Sequence, residues 1–260
     1  MRKCLWFLLL GIHFGCRSHS YPATRGGSTA ICFAYPNIIF IGADSKLVSI
    51  NSDVVEMSAA GNNCKVHQKD QIIYAAVGML RTTNPDIDPI RIINRLDLSK
   101  WALLKDKLPI IEKEICDSMK AMAESVLTMS PRFFSAKILG KSFATFAFGM
   151  FEKDKPVIGY IDMNCKMDKK NRIFFKDSIS INYPDNLNVS VLPIGHTEYY
   201  DSVSKINGYF TKFHSVVEVI DAIIKGQSIK TPKEVNDTAD IIYLTSTGNV
   251  IWSERHQECN

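Results

Sequence analysis

The sequence has no CxxC pair, no internal repeat and no low-complexity tract. Beyond its first fifteen residues it also has no long hydrophobic run. Each absence excludes something. Without paired CxxC motifs a zinc site is not expected. Without a second long apolar run, no later segment is suited to cross a bilayer as a helix. No pair of acids stands out, so a glycosidase or another carboxylate-dyad enzyme has little support. Charge of one sign is also scarce: 31 Lys and Arg against 27 Asp and Glu leave +4. Three of the basic residues, Arg2, Lys3 and Arg17, lie in the first 20 residues, which hold no acid, so the remainder carries +4 − 3 = +1. That is no electrostatic footprint for nucleic acid.

What is present is enough for a stable domain. The chain has 260 residues, 46% of them hydrophobic. That length suits one α/β or two-sheet domain, and the core needs no staple or metal. Met1 to Ser20 combines a short positive start with an apolar run from Cys4 to Gly15, too short to span a bilayer. It reads as a secretory signal peptide (residues 1–20), with Ser18 and Ser20 as small residues before a cut at Tyr21. An alternative is lipidation at Cys16, which His13 and Phe14 make a poor fit. Residues 21–27, with Pro22 and Gly26-Gly27, read as an extended linker or propeptide. The expected location is therefore secreted or periplasmic.

Five of the seven cysteines follow the leader, at 32, 64, 116, 165 and 259. A disulfide among them is possible, and the sequence does not say which residues pair. Cys32 lies in an apolar run and reads as inert packing. Cys64 adjoins Lys65, which would suit a low-pKa thiol; the alternative is a structural role.

The chain is organised around Gly27 to Lys46. Thr29 to Tyr35 is rich in β-formers, Pro36-Asn37 gives a turn, and Ile38 to Ile41 is continuously apolar. A hairpin brings Asp44, Ser45 and Lys46 back beside Ser28. The sequence thus predicts a hydroxyl, a carboxylate and an amine at one end of a sheet.

Downstream, 46–61 is polar and irregular, with a strand suggested at Val54 to Met57. Gln71 to Val77 reads as a strand, and Asn84 to Pro89 as a loop. Ile90 to Leu96 has helical spacing, continued over Leu98 to Leu108, and Pro109 suits the first turn of a further helix. Ile111, Ile115, Met119, Met122 and Val126 recur in steps of three and four, predicting an amphipathic helix to about Thr128 that Pro131 stops. Strands follow at Ser142–Phe151, Val157–Met163, Ile173–Ile181 and Val189–Leu192, with a charged loop over 164–171. Phe143, Thr145 and Ala147 alternate with Ala144, Phe146 and Phe148, so that strand lies between two layers. Thr197 to Phe210 and Phe213 to Lys225 read as helices. Ile241–Leu244 and Asn249–Trp252 form a closing hairpin.

The stretch from Gly27 to Lys46 resembles the start of the mature catalytic subunit of the proteasome family of N-terminal-nucleophile (Ntn) hydrolases. Cys64-Lys65-Val66-His67 and the strand ending at Gly78 extend the resemblance, which is specific over the first 55 residues after Gly26 and only topological afterwards. It implies an α+β fold, a four-layer αββα sandwich of two antiparallel sheets between helix layers, with residues 28–260 as a single domain. Laid on without gaps, Ser28 takes the nucleophile position, or Thr29 if the Pro36 turn is one residue short. Gly27 precedes the bond to be cut. Asp44 takes the place of the first-hairpin Asp and Lys65 that of the catalytic Lys. The backbone N–H of Gly78 or Met79 would hold the oxyanion.

The resemblance implies an amide-bond hydrolase, a peptidase or amidase, that processes itself and uses its new α-amine as base. A peptide or small amide would be its substrate, and a homo-oligomer is possible. No cofactor, metal, nucleic acid or stable membrane span is expected. The alternative is a non-catalytic proteasome-fold subunit with an assembly or binding role, in which Ser28 is an ordinary strand-start serine. Lys65 as a surface lysine and His196 as a turn histidine are the corresponding structural readings. The family's later supporting Asp and Ser have no clear counterpart; Asn236, Asp237 and Thr238 lie nearest. Asn188-Val189-Ser190 and Asn236-Asp237-Thr238 are glycosylation sequons that matter only in a eukaryotic secretory pathway.

Overall fold

The computed structural model describes residues 28–50, 57–62, 64–78, 88–184, 189–255 and 259. The leader, the 21–27 linker, Gly27, Met79 and most of the strand suggested at 54–57 lie outside these residues, as does Asn188 of the first sequon.

Twelve strands are described: β1 (Thr29–Tyr35), β2 (Ile38–Asp44), β3 (Lys46–Ile50), β4 (Met57–Asn62), β5 (Val66–Lys69), β6 (Ile72–Gly78), β7 (Ser142–Glu152), β8 (Lys155–Met167), β9 (Ile173–Asn182), β10 (Ser190–Gly195), β11 (Ala239–Thr245) and β12 (Val250–Glu254). They form one five-stranded sheet ordered β10-β1-β2-β11-β12, a second ordered β5-β6-β7-β8-β9, and the pair β3-β4. Every described pairing is antiparallel.

Strict alternation of two apolar faces forces the layering. In β1, Ala30, Cys32 and Ala34 face the second sheet, while Ile31 and Phe33 face outward. In β6, Ile73, Ala75 and Val77 face the first sheet, while Ile72, Tyr74 and Ala76 face outward. A sheet buried on both faces needs a sheet on one side and helices on the other. The helices supply this. Helices α1 (Pro89–Arg95) and α2 (Leu104–Met129) cover the second sheet. Helices α4 (Glu198–Val203) and α5 (Val216–Lys230) cover the first. The short α3 (Pro131–Phe133) runs into a wide turn over Phe134–Ile138. The protein is an α+β four-layer sandwich of two antiparallel sheets between helix layers.

The expected apolar stripe Ile111, Ile115, Met119, Met122 and Val126 is the buried face of α2. Helix α5 is capped by Ser215, whose side chain accepts from the Glu218 N–H, while Glu218 accepts from the His214 N–H. Several boundaries differ from the sequence reading. Residues 96–103 are irregular rather than helical, because Asp97 accepts from both the N–H and the hydroxyl of Ser99. Pro109 lies inside α2, whose first N–H is capped from afar by Glu152 at 2.5 Å. Strand β8 continues through Met167, so the charged loop is only the turn at Asp168–Asn171. The polar segment after Asp44 holds the β3-β4 hairpin. Helix α4 ends at Val203, and Gly208 at φ +73° starts a separate turn of helix over Tyr209–Lys212.

Candidate active site

The site is built at the end of β1 and β2. Their register pairs Ala30 with Ala43, which sets Asp44 beside the start of β1. Asp44 is fully buried. Its Oδ1 accepts the Thr29 N–H at 2.7 Å. Its Oδ2 accepts from the Lys46 N–H at 3.0 Å and from Lys65 Nζ at 2.8 Å. Three charge-assisted bonds satisfy a carboxylate that would otherwise be costly to bury.

Lys65 comes from the second sheet. Its carbonyl accepts from the Ala76 N–H at 2.9 Å, extending the β5-β6 pairing by one residue. It is 4% exposed, which rules out the surface-lysine reading. Burial lowers its pKa below the ordinary lysine value; Asp44, and then the charge of Asp240, oppose that shift without cancelling it. Asp44 and Lys65 thus join the two sheets at the entrance to β1.

Ser28 and Thr29 are both buried at this point. The Ser28 carbonyl accepts from the His196 N–H at 2.8 Å. The Thr29 hydroxyl donates to the His196 carbonyl at 2.8 Å. The backbone of one residue in the turn after β10 therefore clamps both residues. Gly195 makes this possible. It has φ +80°, and a Cβ there would lie 2.1 Å from the Ser28 carbonyl oxygen.

His196 is the turn residue that the sequence suggested, in the turn between β10 and α4. Its backbone holds Ser28 and Thr29, and its ring turns away, between Glu234 and, at 3.4 Å, Glu198. Burial alone would lower the imidazole pKa, but the two carboxylates, Glu234 foremost, raise it above the ordinary value. Glu198, Glu234 and Gly195 were not singled out from the sequence. Their part runs through backbone contacts and a tertiary ion pair, which leave no local pattern.

Gly78 ends β6 two residues past Ala76. It has φ +106°, and a Cβ would meet the Phe143 carbonyl oxygen at 2.5 Å. Asn236 and Thr238 do come to this end of the sheet, but they act on Ser45. Asn236 Oδ1 accepts the Ser45 N–H at 3.1 Å, Asn236 Nδ2 donates to the Ser45 hydroxyl at 2.9 Å, and that hydroxyl lies 3.1 Å from Thr238 Oγ1. An Asn236 so engaged is a poor glycan acceptor.

Cys64 is no free thiol. It forms a disulfide with Cys259, 195 residues away. Cys32 is fully buried among apolar side chains, and burial pushes its thiol far up, in keeping with inert packing. Asp44 and Lys65 thus form a buried ion pair beside the start of β1.

No family model matches the sequence, and no curated protein matches it. Among solved structures the chain is similar to Anbu (ancestral beta-subunit) from Yersinia bercovieri, with a TM-score of 0.47 and 10% identity over 86% of each chain.

Proposed function

We propose that this protein is an exported amide-bond hydrolase of the Ntn type, with Ser28 as its nucleophile, exposed by cleavage of the Gly27–Ser28 bond. The observation that carries this reading is the Asp44 carboxylate, which holds the Thr29 N–H and Lys65 Nζ at once. The Thr29 N–H and a buried lysine of lowered pKa thereby share one carboxylate.

Ser28 is preferred to Thr29 because it follows Gly27 directly, in the nucleophile position of the family it resembles. After cleavage the Ser28 α-amine, with an ordinary pKa near 8, serves as base. It takes the hydroxyl proton as Oγ attacks the substrate carbonyl. Lys65, held by Asp44, lowers the pKa of the Ser28 hydroxyl and orients it. The Gly78 N–H, at the end of β6, serves as the oxyanion donor. The leaving amine takes the proton from the α-amine, and water then hydrolyses the acyl ester by the same route. The Cys64–Cys259 bridge supports the exported location, since disulfides persist in oxidising compartments.

The test is the mature N-terminus, determined by mass spectrometry on full-length protein recovered from the producing cell. A chain beginning at Ser28, and a Ser28→Ala protein with the 27–28 bond intact, are expected. A wild-type chain beginning at Tyr21 or earlier overturns the proposal in favour of a non-catalytic binding or assembly role.

A further inference from the structure

Lys65 is held from three directions. Its ammonium rests on Asp44, and its carbonyl is tied to β6. Immediately before it, Cys64 is cross-linked to Cys259 with a Cα–Cα distance of 4.9 Å. The far end of the bridge is fixed in turn. The Arg255 side chain donates to the Cys259 carbonyl, and its guanidinium stacks over the Trp252 ring at 5.2 Å. Cys259 therefore ties Arg255, just past β12, to the residue adjoining Lys65.

A carboxylate completes the arrangement. An oxygen of Asp240 and the two bridge sulfurs all lie within 4.8 Å of one another. Asp240 is fully buried and follows Ala239, the register partner of Asp44. Its negative charge disfavours a departing thiolate, so the bridge is held closed in oxidising surroundings.

We propose that the Cys64–Cys259 bridge is a positioning device for Lys65, and that its thiol–disulfide state decides whether the lysine stays seated on Asp44. The inference rests on Lys65 serving the site proposed above. Opening the bridge requires a dithiol reductant. Two electrons and two protons pass to the bridge, the Sγ–Sγ bond breaks to give two cysteine thiols, and the dithiol closes to its own disulfide. The Cys64 end of β5 then loses its covalent tether while the β5-β6 pairing persists.

The experiment reads Lys65 directly, so it does not depend on amide hydrolysis. In full-length protein carrying 13Cε-labelled lysine, the Lys65 signal is assigned by its loss in Lys65→Arg. It is titrated with the bridge closed, after treatment with dithiothreitol, and after reoxidation. Methyl signals of Ile73 and Val77 report the intact sheet. Closed, the Lys65 midpoint lies below the ordinary lysine value. Reduced, the lysine leaves Asp44 for solvent, burial no longer depresses it, and its midpoint rises toward about 10.4; reoxidation restores it. Cys259→Ala shows the reduced behaviour with or without dithiothreitol. If that variant does not fold, the reduction arm alone decides. An unmoved Lys65 midpoint after verified reduction overturns the proposal. So does loss of the Ile73 and Val77 signals on reduction, because the bridge then serves the whole fold. So does the finding of free thiols at 64 and 259 in the oxidised protein.

Discussion

Thr29 and Asp44 are 15 positions apart in sequence, and the N–H of one donates to the Oδ1 of the other at 2.7 Å in a buried setting. The contact fixes where β1 begins. It also fixes what Asp44 can still do, because Oδ2 remains for Lys46 and Lys65. A carboxylate that closes a hairpin on one side and seats a lysine on the other couples the first sheet to the second.

Breaking that coupling should be costly. Asp44→Asn leaves Lys65 buried without its counter-ion, and removal of one partner of a buried pair costs about 3–5 kcal/mol. Urea unfolding should show a loss of that order. Lys65→Met should lose less, because Asp44 keeps the Thr29 and Lys46 N–H bonds. Neither variant should yield a chain beginning at Ser28.

Gly195→Ala should act on the site more than its size suggests. The substitution strains a backbone at φ +80° and drives a methyl into the Ser28 carbonyl. Backbone strain alone costs about 1–3 kcal/mol. The clash must then be relieved by moving Ser28 or the turn. Labelling of Ser28 by hydroxyl-directed inhibitors should fall at least about tenfold, the equivalent of roughly 1.4 kcal/mol. Gly140→Ala, at a positive φ with nothing near its Cβ, is the control for strain without a clash.

Much of this was legible in the sequence for a physical reason. Thr29–Tyr35 and Ile72–Gly78 are apolar on both faces, and a strand with two apolar faces has few places to go. The α2 stripe was readable for the same reason, since its period is local. Pro109 misled because Pro favours a first helical turn, yet Leu104 and Leu108 pack in the core and the Glu152 cap starts the helix earlier. The site was legible in part. Asp44 follows from the hairpin register, and Lys65 from the family resemblance. The His196 clamp acts through a backbone N–H and C=O, of a kind that nearly every residue carries. The Cys64–Cys259 pairing spans 195 residues and leaves no local trace.

The His196 ring predicts a pH dependence of stability. Its folded pKa is raised, so the folded state binds the proton more tightly than the unfolded chain does. The resulting stabilisation is fully present below the unfolded value, about 6.5, and is lost as pH rises through the folded value. Glu234→Gln should flatten this decline. Urea midpoints measured from pH 5.5 to 9 on both proteins decide the matter.

Asp177 predicts a decline in a lower window. Burial, then Glu112 across the α2–β9 contact, pushes its pKa up to about 7. A carboxyl that resists ionising in the folded state loses stability as pH rises from its ordinary value, about 3.9, to about 7. Asp177→Asn should therefore stabilise the protein at pH 7.5 and be neutral near pH 4. The opposite trend would mean that Glu112 and Asp177 share no buried contact.

Ser28→Ala and Thr29→Val separate the two candidate nucleophiles. The Thr29 hydroxyl donates to the His196 carbonyl in a buried position. Thr29→Val keeps the shape and leaves that carbonyl without its donor, a loss of about 1–3 kcal/mol. If Ser28 is the nucleophile, the Thr29→Val protein is less stable yet still processed between 27 and 28, and it still reacts with hydroxyl-directed inhibitors. Ser28→Ala should instead show no processing and no labelling. Loss of processing in Thr29→Val alone, with Ser28→Ala processed normally, would move the nucleophile by one residue and place the cleaved bond after Ser28.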